Sequence, residues 1–455
     1  MSTTLDIINP ATEQSIGSVV VHNLEETDRA IDLAANAAPA WRKVTPADRA
    51  RLLRRFADVV DAHIEELAQL EVANSGHTIS NARWEAGNVR DVLNYYSGAP
   101  ERHSGRQIPV AGGVDITFYE PLGVVGIIVP WNFPMPIAGW GLGPALAAGN
   151  TVVLKPAMLT PLTALRLAEL GLEAGLPEGV FQVVSGDGAM VGQRFVTNDA
   201  VRKVCFTGSN AVGRVIMEGC AAQVKRVTLE LGGKSPNIIF ADADLEKAAA
   251  SAPYAVFDNA GQDCCARSRL LVEASAYDRF MELFETAVKG VRVIDPTDET
   301  SEMGPLITAA QRESVRSYVS ESDVAFRGSA PDGPGYWMAP TVLETSDTKS
   351  RSFQEEIFGP VVSVVRFRDE AEAIRIANES PYGLSGSIWS RDIGRALRVA
   401  RGVETGALSV NSNSSVRYST PFGGFKQSGL GRELGPDALL GFSEEKNVFI
   451  STEDE

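Results

Sequence analysis

The sequence predicts an α/β protein: a doubly wound parallel sheet with helices on both faces, a second α/β region after it, and a small β segment. Three observations predict this. From Val124 onward, short apolar runs alternate with helix-like stretches, the pattern of parallel strands joined by crossover helices. At 455 residues the chain exceeds what one hydrophobic core supports. A composition of 44% hydrophobic and 22% charged residues belongs to ordinary folded domains and excludes disorder.

The elements follow in chain order. Thr45, Pro46 and Asp48 read as N-cap, first-turn proline and first-turn acid; Leu52, Leu53, Phe56, Val59, Val60, Ile64, Leu67 and Leu70 then predict one long amphipathic helix. In RQIPVAGGVDITFYEP, Gly112 and Gly113 divide two extended runs as a hairpin turn would. The runs GVVGIIV, NTVVLKP, GVFQVV, RKVCFTG and PNIIF predict strands of the parallel sheet. A helix is expected between Thr160 and Ala174, ending at Gly175, which accepts a left-handed conformation. Another is expected from Ala211 to Ala222. The second α/β region begins near Lys234, with apolar runs at Leu270 to Val272, Pro360 to Phe367, Ser385 to Trp389 and Ala407 to Val410. The closing KNVFIST is strand-like, and no internal repeat is visible.

Bulk charge narrows the function classes. A formal net charge of −16 repels phosphate backbones and anionic lipid heads, so neither nucleic acid nor membrane is an expected partner. The opening MSTTLDIINPATEQ has no basic run before an apolar core, and no stretch has the length to span a bilayer; a cytoplasmic location is expected. Cys205, Cys220, Cys264 and Cys265 have no spacing that suggests a disulfide framework or a metal site, so reduced thiols and no metal are expected. His22, His63, His77 and His103 all lie in the first quarter, which argues against a Cys–His hydrolase.

Four segments carry candidate chemistry. In RKVCFTGSNAVGRVI a strand runs into Thr207, Gly208 and Ser209, and a helix opens before Gly213; amides at such an entrance suit a pyrophosphate, and tight packing would explain the same glycines. In VTLELGGKSPN, Glu230 follows an apolar run and precedes Gly232 and Gly233, where the backbone bends sharply. FDNAGQDCCARS sets Gly261 and Gln262 before two adjacent thiols in a polar segment, unlike a buried structural cysteine, and chemistry alone leaves both thiols open as nucleophile. In VPWNFPMP, prolines 130, 134 and 136 stiffen a loop around Asn132, whose amide offers a fixed donor.

Together these segments resemble the aldehyde dehydrogenase superfamily, through PWNFP at 130 to 134, LELGG at 229 to 233 and GQ-x-C at 261 to 264. EEIFGP at 355 to 360 and PFGGFKQSG at 421 to 429 extend the match in order along the chain. The resemblance implies a Rossmann-like dinucleotide-binding domain (1–105 and 121–233), an α/β catalytic domain (234–433) and a β bridging segment for oligomerisation (106–120 and 434–455). It selects Cys264 over Cys265 as the nucleophile and makes Asn132, with the Cys264 N–H, the oxyanion donor. Glu230 becomes the base that activates water against a thioester, a task suited to a carboxylate whose pKa burial raises.

For NAD or NADP the resemblance implies a path along Val129, Pro130, Trp131, Lys155, Met158, Gly188, Phe206, Gly208, Ser209, Gly213, Leu231, Glu356 and Phe358. For the substrate tunnel it implies Phe133, Trp140, Asp258, Asp263, Val416, Arg417 and the loop Ser414 to Tyr418. Asp258 and Asp263 would favour a cationic aldehyde, whereas an inward Arg417 would favour a semialdehyde; Arg267 complicates the balance. The family's NAD-preferring members often carry a glutamate where Met158 stands, so weakened NAD preference and some NADP use are expected. The expected partner is a small aldehyde, and the expected assembly a homodimer or homotetramer. The rivals are a CoA-acylating dehydrogenase, which the presence of Glu230 disfavours, and a catalytically silent relative, which would be expected to lack Cys264, Glu230 or Asn132.

Overall fold

The computed structural model describes residues 3–414 and 416–452. Its first sheet has six strands in the order Gly429–Leu430, Arg226–Glu230, Val201–Thr207, Val124–Ile128, Thr151–Lys155 and Phe181–Val183. The last five are parallel, and Gly429–Leu430 pairs antiparallel at the edge. Val124–Ile128 and Thr151–Lys155 are buried throughout, as expected of strands covered on both faces. One face packs residues of Pro46–Ala62, Ile79–Ser97, Pro134–Ala147 and Leu162–Glu173. The other packs Ile31, Ala34, Phe195, Ile216 and Cys220 from the helices Leu24–Lys43, Gln193–Thr197 and Asn210–Ala222. The sheet is therefore doubly wound, and strand order reverses beside Val124–Ile128, where α/β folds open a ligand crevice.

The second sheet has seven strands, ordered Val324–Arg327, Thr341–Glu344, Val361–Phe367, Arg269–Glu273, Pro236–Ile239, Ser385–Trp389 and Ala407–Val410. All neighbours are parallel except the first pair. A third sheet, antiparallel, joins Ser443–Ser451, Gly113–Pro121 and Gln107–Val110. Gly112 makes its turn at φ +76, a left-handed value that glycine adopts without steric cost. No helix among the described residues is long and apolar enough to cross a membrane.

Three differences from the sequence reading stand out. The expected long helix after Thr45 is two helices, Pro46–Ala62 and Ile64–Ser75. His63 breaks them with φ −115 and ψ 15, while its ring bonds the Val59 carbonyl at 2.8 Å; an apolar stripe at helical spacing continues smoothly through such a bend. PNIIF joins the second sheet rather than the first, because the Gly232–Gly233 turn redirects the chain before it. Gly429–Leu430, from the stretch assigned to the catalytic region, returns to the edge of the first sheet.

Candidate active site

The helix Pro134–Ala147 fixes the first side of the site. All fourteen of its residues are buried, consistent with a sequence that is apolar around its whole circumference. Its glycines admit the helix Ile79–Ser97 closely: a Cβ on Gly143 would lie 2.9 Å from Val92 Cγ1. Asn132 stands just before its first turn and is buried. The Asn132 Nδ2 donates to the Gln262 carbonyl at 2.9 Å, and the Asn132 carbonyl accepts from Asn259 Nδ2 at 2.7 Å. One amide N–H is thus anchored, which sets the plane of the group and leaves its second N–H.

The Cys264 segment leaves the helix Leu245–Phe257 through a turn with three successive left-handed residues, Asn259 (φ 49), Ala260 (φ 53) and Gly261 (φ 70). A Cβ at Gly261 would lie 2.0 Å from the Gly359 carbonyl oxygen, so glycine is required there on two counts. Gln262 then ties the turn inward, its Oε1 accepting from the Ile307 N–H at 2.9 Å. Cys264 follows, partly exposed, and Cys265 beside it is buried. Segregation of the two thiols in this way makes Cys264 the accessible one.

Cys264 and Asn132 share a cavity of about 250 Å³ with Glu230, Glu356, Phe358, Pro130, Trp131, Thr207, Gly208, Ser209, Leu231 and Gly232. Glu230 ends the strand Arg226–Glu230. It is buried, and neither carboxylate oxygen has a hydrogen-bond partner among the described residues. Burial and then the nearby Glu433 carboxyl push its pKa well above the usual carboxylate range. Glu356 accepts from the Gly233 N–H at 2.8 Å, yet burial raises it to about 7. Lys234, buried with no partner for Nζ among the described residues, is drawn down to about 7 by burial. The Cys264 thiol is held well above its ordinary value by its hydrogen bond with Cys265, then by burial and by the Asp263 and Glu356 carboxyls. The resting cavity therefore favours neutral acid and thiol forms.

Several expected cofactor residues lie outside that cavity. Val129 and Phe206 are buried behind it. Gly213 serves packing, since a Cβ there would meet Leu231 Cδ2 at 2.6 Å. Gly188 is exposed with open space around its Cα, and Met158 is half-buried just past the strand Thr151–Lys155. Lys155 is buried at the end of that strand, its Nζ donating to the Pro156 carbonyl at 2.9 Å and its pKa drawn down by burial to about 8.

The expected tunnel residues divide by chemistry. Phe133 and Val416 pack against one apolar cluster that also includes Trp140, Phe422, Leu434 and the Cys264 side chain. Trp140 is buried and donates to Asn88 Oδ1 at 2.9 Å. The acids are not solvated anions: Asp258 accepts from the Asn81 amide and Asp263 from the Cys265 N–H at 2.8 Å, and burial raises both pKa values. Arg417 is exposed. Arg267, which complicated that charge balance in the sequence, is buried and donates to the Cys265 and Asn413 carbonyls and the Ser387 hydroxyl. Ser415, within the expected tunnel loop, lies outside the described residues.

Sequence reasoning missed Asn259, Lys234 and Glu433, and the buried group of His77, Glu71 and Glu85 behind Asn132. The His77 ring stands 5.6 Å from Phe133 and bonds the Asn132 backbone. Polar residues scattered along helices carry no local signal of such a cluster; only the unbroken burial of their helix faces could have hinted at it.

A profile of the aldehyde dehydrogenase family matches residues 1–448. An aldehyde dehydrogenase of Emericella nidulans is 41% identical over 457 residues, covering 98% of this chain and 91% of the relative. A phenylacetaldehyde dehydrogenase of Pseudomonas fluorescens is 40% identical over 465 residues, covering 98% and 93%. The crystal structure of betaine aldehyde dehydrogenase from Staphylococcus aureus, in complex with NAD+, superposes with a TM-score of 0.96 at 38% identity, covering 100% of this chain and 92% of that one.

Proposed function

We propose, from the premise that the chain belongs to the aldehyde dehydrogenase family, that it oxidises an aldehyde to a carboxylic acid with Cys264 as nucleophile and a nicotinamide dinucleotide as hydride acceptor. The observation that carries this reading is one cavity, at the reversal point of the sheet, holding an accessible thiol, an anchored amide and a buried carboxyl whose oxygens have no partner among the described residues.

A dinucleotide fits this chain. The helix Asn210–Ala222 opens at Ser209, whose hydroxyl caps it, and its first N–H groups suit a pyrophosphate. The Lys155 ammonium and the Glu356 carboxyl suit ribose hydroxyls. Trp131 and Phe358 stand edge to face, 5.3 Å apart at 88°, as the wall for a flat ring. NAD or NADP, when bound, supplies the acceptor for the hydride.

The protein's own groups divide the rest of the work. The Cys264 sulfur, as thiolate, forms a C–S bond to the aldehyde carbon, and the carbonyl π pair moves to oxygen. The second N–H of Asn132 and the Cys264 N–H stabilise that oxyanion. After oxidation the acyl group is held on sulfur as a thioester. Glu230, deprotonated, takes a proton from water; the water oxygen adds to the thioester carbon, the C–S bond breaks, and sulfur leaves as thiolate. The unpartnered Glu230 oxygens leave room for that water, and their raised pKa makes the carboxylate a stronger base than an exposed one.

For the substrate, the apolar surround of Cys264 supports a neutral, apolar aldehyde. It supports an aminoaldehyde or betaine-type aldehyde less, because Asp258 and Asp263, both half-buried, already accept hydrogen bonds from within the fold. A semialdehyde loses support because Arg417 is exposed. The absence of a carboxylate at Met158 supports some NADP use beside NAD. Exposed Phe118, Phe449 and Ile450 on the antiparallel sheet, with Val212, Val215 and Met217 on one helix, support a homodimer or homotetramer. Four free thiols fit a cytoplasmic location.

The test is Glu230→Gln. A burst of reduced cofactor close to one equivalent, followed by turnover slowed roughly 10²-fold or more, is the expected result; a variant that turns over at the wild-type rate overturns the role of Glu230. A panel of amino-, acidic and apolar aldehydes reads the substrate class, and equal rates on all three remove the apolar reading.

A further inference from the structure

Four parts of the fold meet at Arg267. Its Nη1 donates to the Cys265 carbonyl at 2.7 Å, its Nη2 to the Asn413 carbonyl at 2.9 Å, and its Nε to the Ser387 hydroxyl at 3.2 Å. Its own N–H donates to the Ala255 carbonyl at 2.8 Å. The guanidinium therefore joins the nucleophile's turn, the loop after the strand Ala407–Val410, the strand Ser385–Trp389 and the helix Leu245–Phe257. Val416 of that loop packs on the apolar cluster that holds the Cys264 side chain. A buried cation is costly unless charge meets it. The titratable groups facing Arg267 are Asp263, Cys265 and Cys264. Those facing the Cys264 sulfur are Cys265, Asp263, Glu356 and Arg267 itself, with Glu230 in the same cavity.

We propose that Arg267 is a positioning residue for the reaction: its rigid fork ties the chain at Asn413, just past the strand Ala407–Val410, to the nucleophile's turn, which sets the shape of the aldehyde site, and its charge favours the Cys264 thiolate among surrounding acids. The inference rests on Cys264 being the nucleophile. The fork and the charge are separable, because lysine keeps the charge and cannot span three acceptors, whereas methionine fills the volume and supplies neither.

The experiment measures two quantities in wild type, Arg267→Lys and Arg267→Met. One is the pH dependence of iodoacetamide alkylation at Cys264, located by peptide mass. The other is KM and kcat for an apolar aldehyde. In Arg267→Met the alkylation midpoint rises by about one pH unit, and KM rises roughly tenfold with a smaller change in kcat. In Arg267→Lys the midpoint stays near that of wild type while KM still rises. A folded Arg267→Met variant with wild-type midpoint and KM overturns the proposal. If Arg267→Met does not fold, a wild-type KM in Arg267→Lys overturns it instead. Wild-type protein with no aldehyde oxidation would refute the assigned function, and the alkylation midpoints would still report on the charge.

Discussion

Replacing Glu71 by glutamine removes one buried carboxyl and keeps its shape. Glu71 is fully buried in the helix Ile64–Ser75, its Oε2 accepting from the Thr163 hydroxyl at 2.7 Å. Burial, then the Glu85 carboxyl, raises its pKa from 4.5 to about 7. Between those values the folded chain keeps a proton that the unfolded chain releases. The unfolded state thus binds fewer protons, and the free energy of unfolding falls as pH rises through that window. A difference of about 2.5 pH units amounts to roughly 3 kcal/mol, of which roughly 2 kcal/mol falls between pH 5 and pH 7.5. At roughly 2 cal/mol/K of unfolding entropy per residue, a 455-residue chain converts this into about 2 °C. Scanning calorimetry of wild type and Glu71→Gln across that range should show the variant gaining about 2 °C on wild type as pH rises. Glu356 and Glu433, also raised, stand outside this cluster, are common to both proteins and cancel in the difference. Parallel midpoint curves would refute the reasoning, and so would a variant that loses ground with rising pH.

Asn132→Ala should lower kcat by roughly 10² to 10³ with a much smaller effect on KM, as steady-state kinetics would register; a selective rise in KM would instead mark a ground-state contact. Gly261→Ala combines φ +70 with a Cβ 2.0 Å from the Gly359 oxygen, and a loss of about 3 kcal/mol or more is expected, read as a lowered thermal midpoint. Met158→Glu should raise the ratio of kcat/KM for NAD over NADP by roughly tenfold or more, by repelling a 2′-phosphate; an unchanged ratio would remove that position from cofactor choice.

Much of the framework was legible one segment at a time. Apolar runs marked Val124–Ile128, Thr151–Lys155 and Ser385–Trp389 as strands, since a strand covered on both faces needs little else. Thr45 was readable as an N-cap, and its hydroxyl does accept from the Asp48 N–H at 3.2 Å. The short motifs named Cys264, Glu230 and Asn132 through their resemblance to the aldehyde dehydrogenase superfamily; the residues by themselves left both thiols open. The break at His63 was hidden, because the apolar stripe continues through it.

What the sequence by itself determined, then, was the class of each segment and the residues able to do chemistry. Tertiary structure alone decided which sheet Pro236–Ile239 joins, that Arg267 reaches backbone carbonyls at Cys265 and Asn413, and that Asp258 and Asp263 are half-buried hydrogen-bond acceptors. The physical reason is range. Periodicity and capping act over a few residues, whereas strand partners, burial and the protonation state of an acid depend on groups brought together from across the chain. Glu230 is an ordinary carboxyl in the sequence; burial, and then the Glu433 carboxyl brought beside it, push its pKa well above the usual carboxylate range.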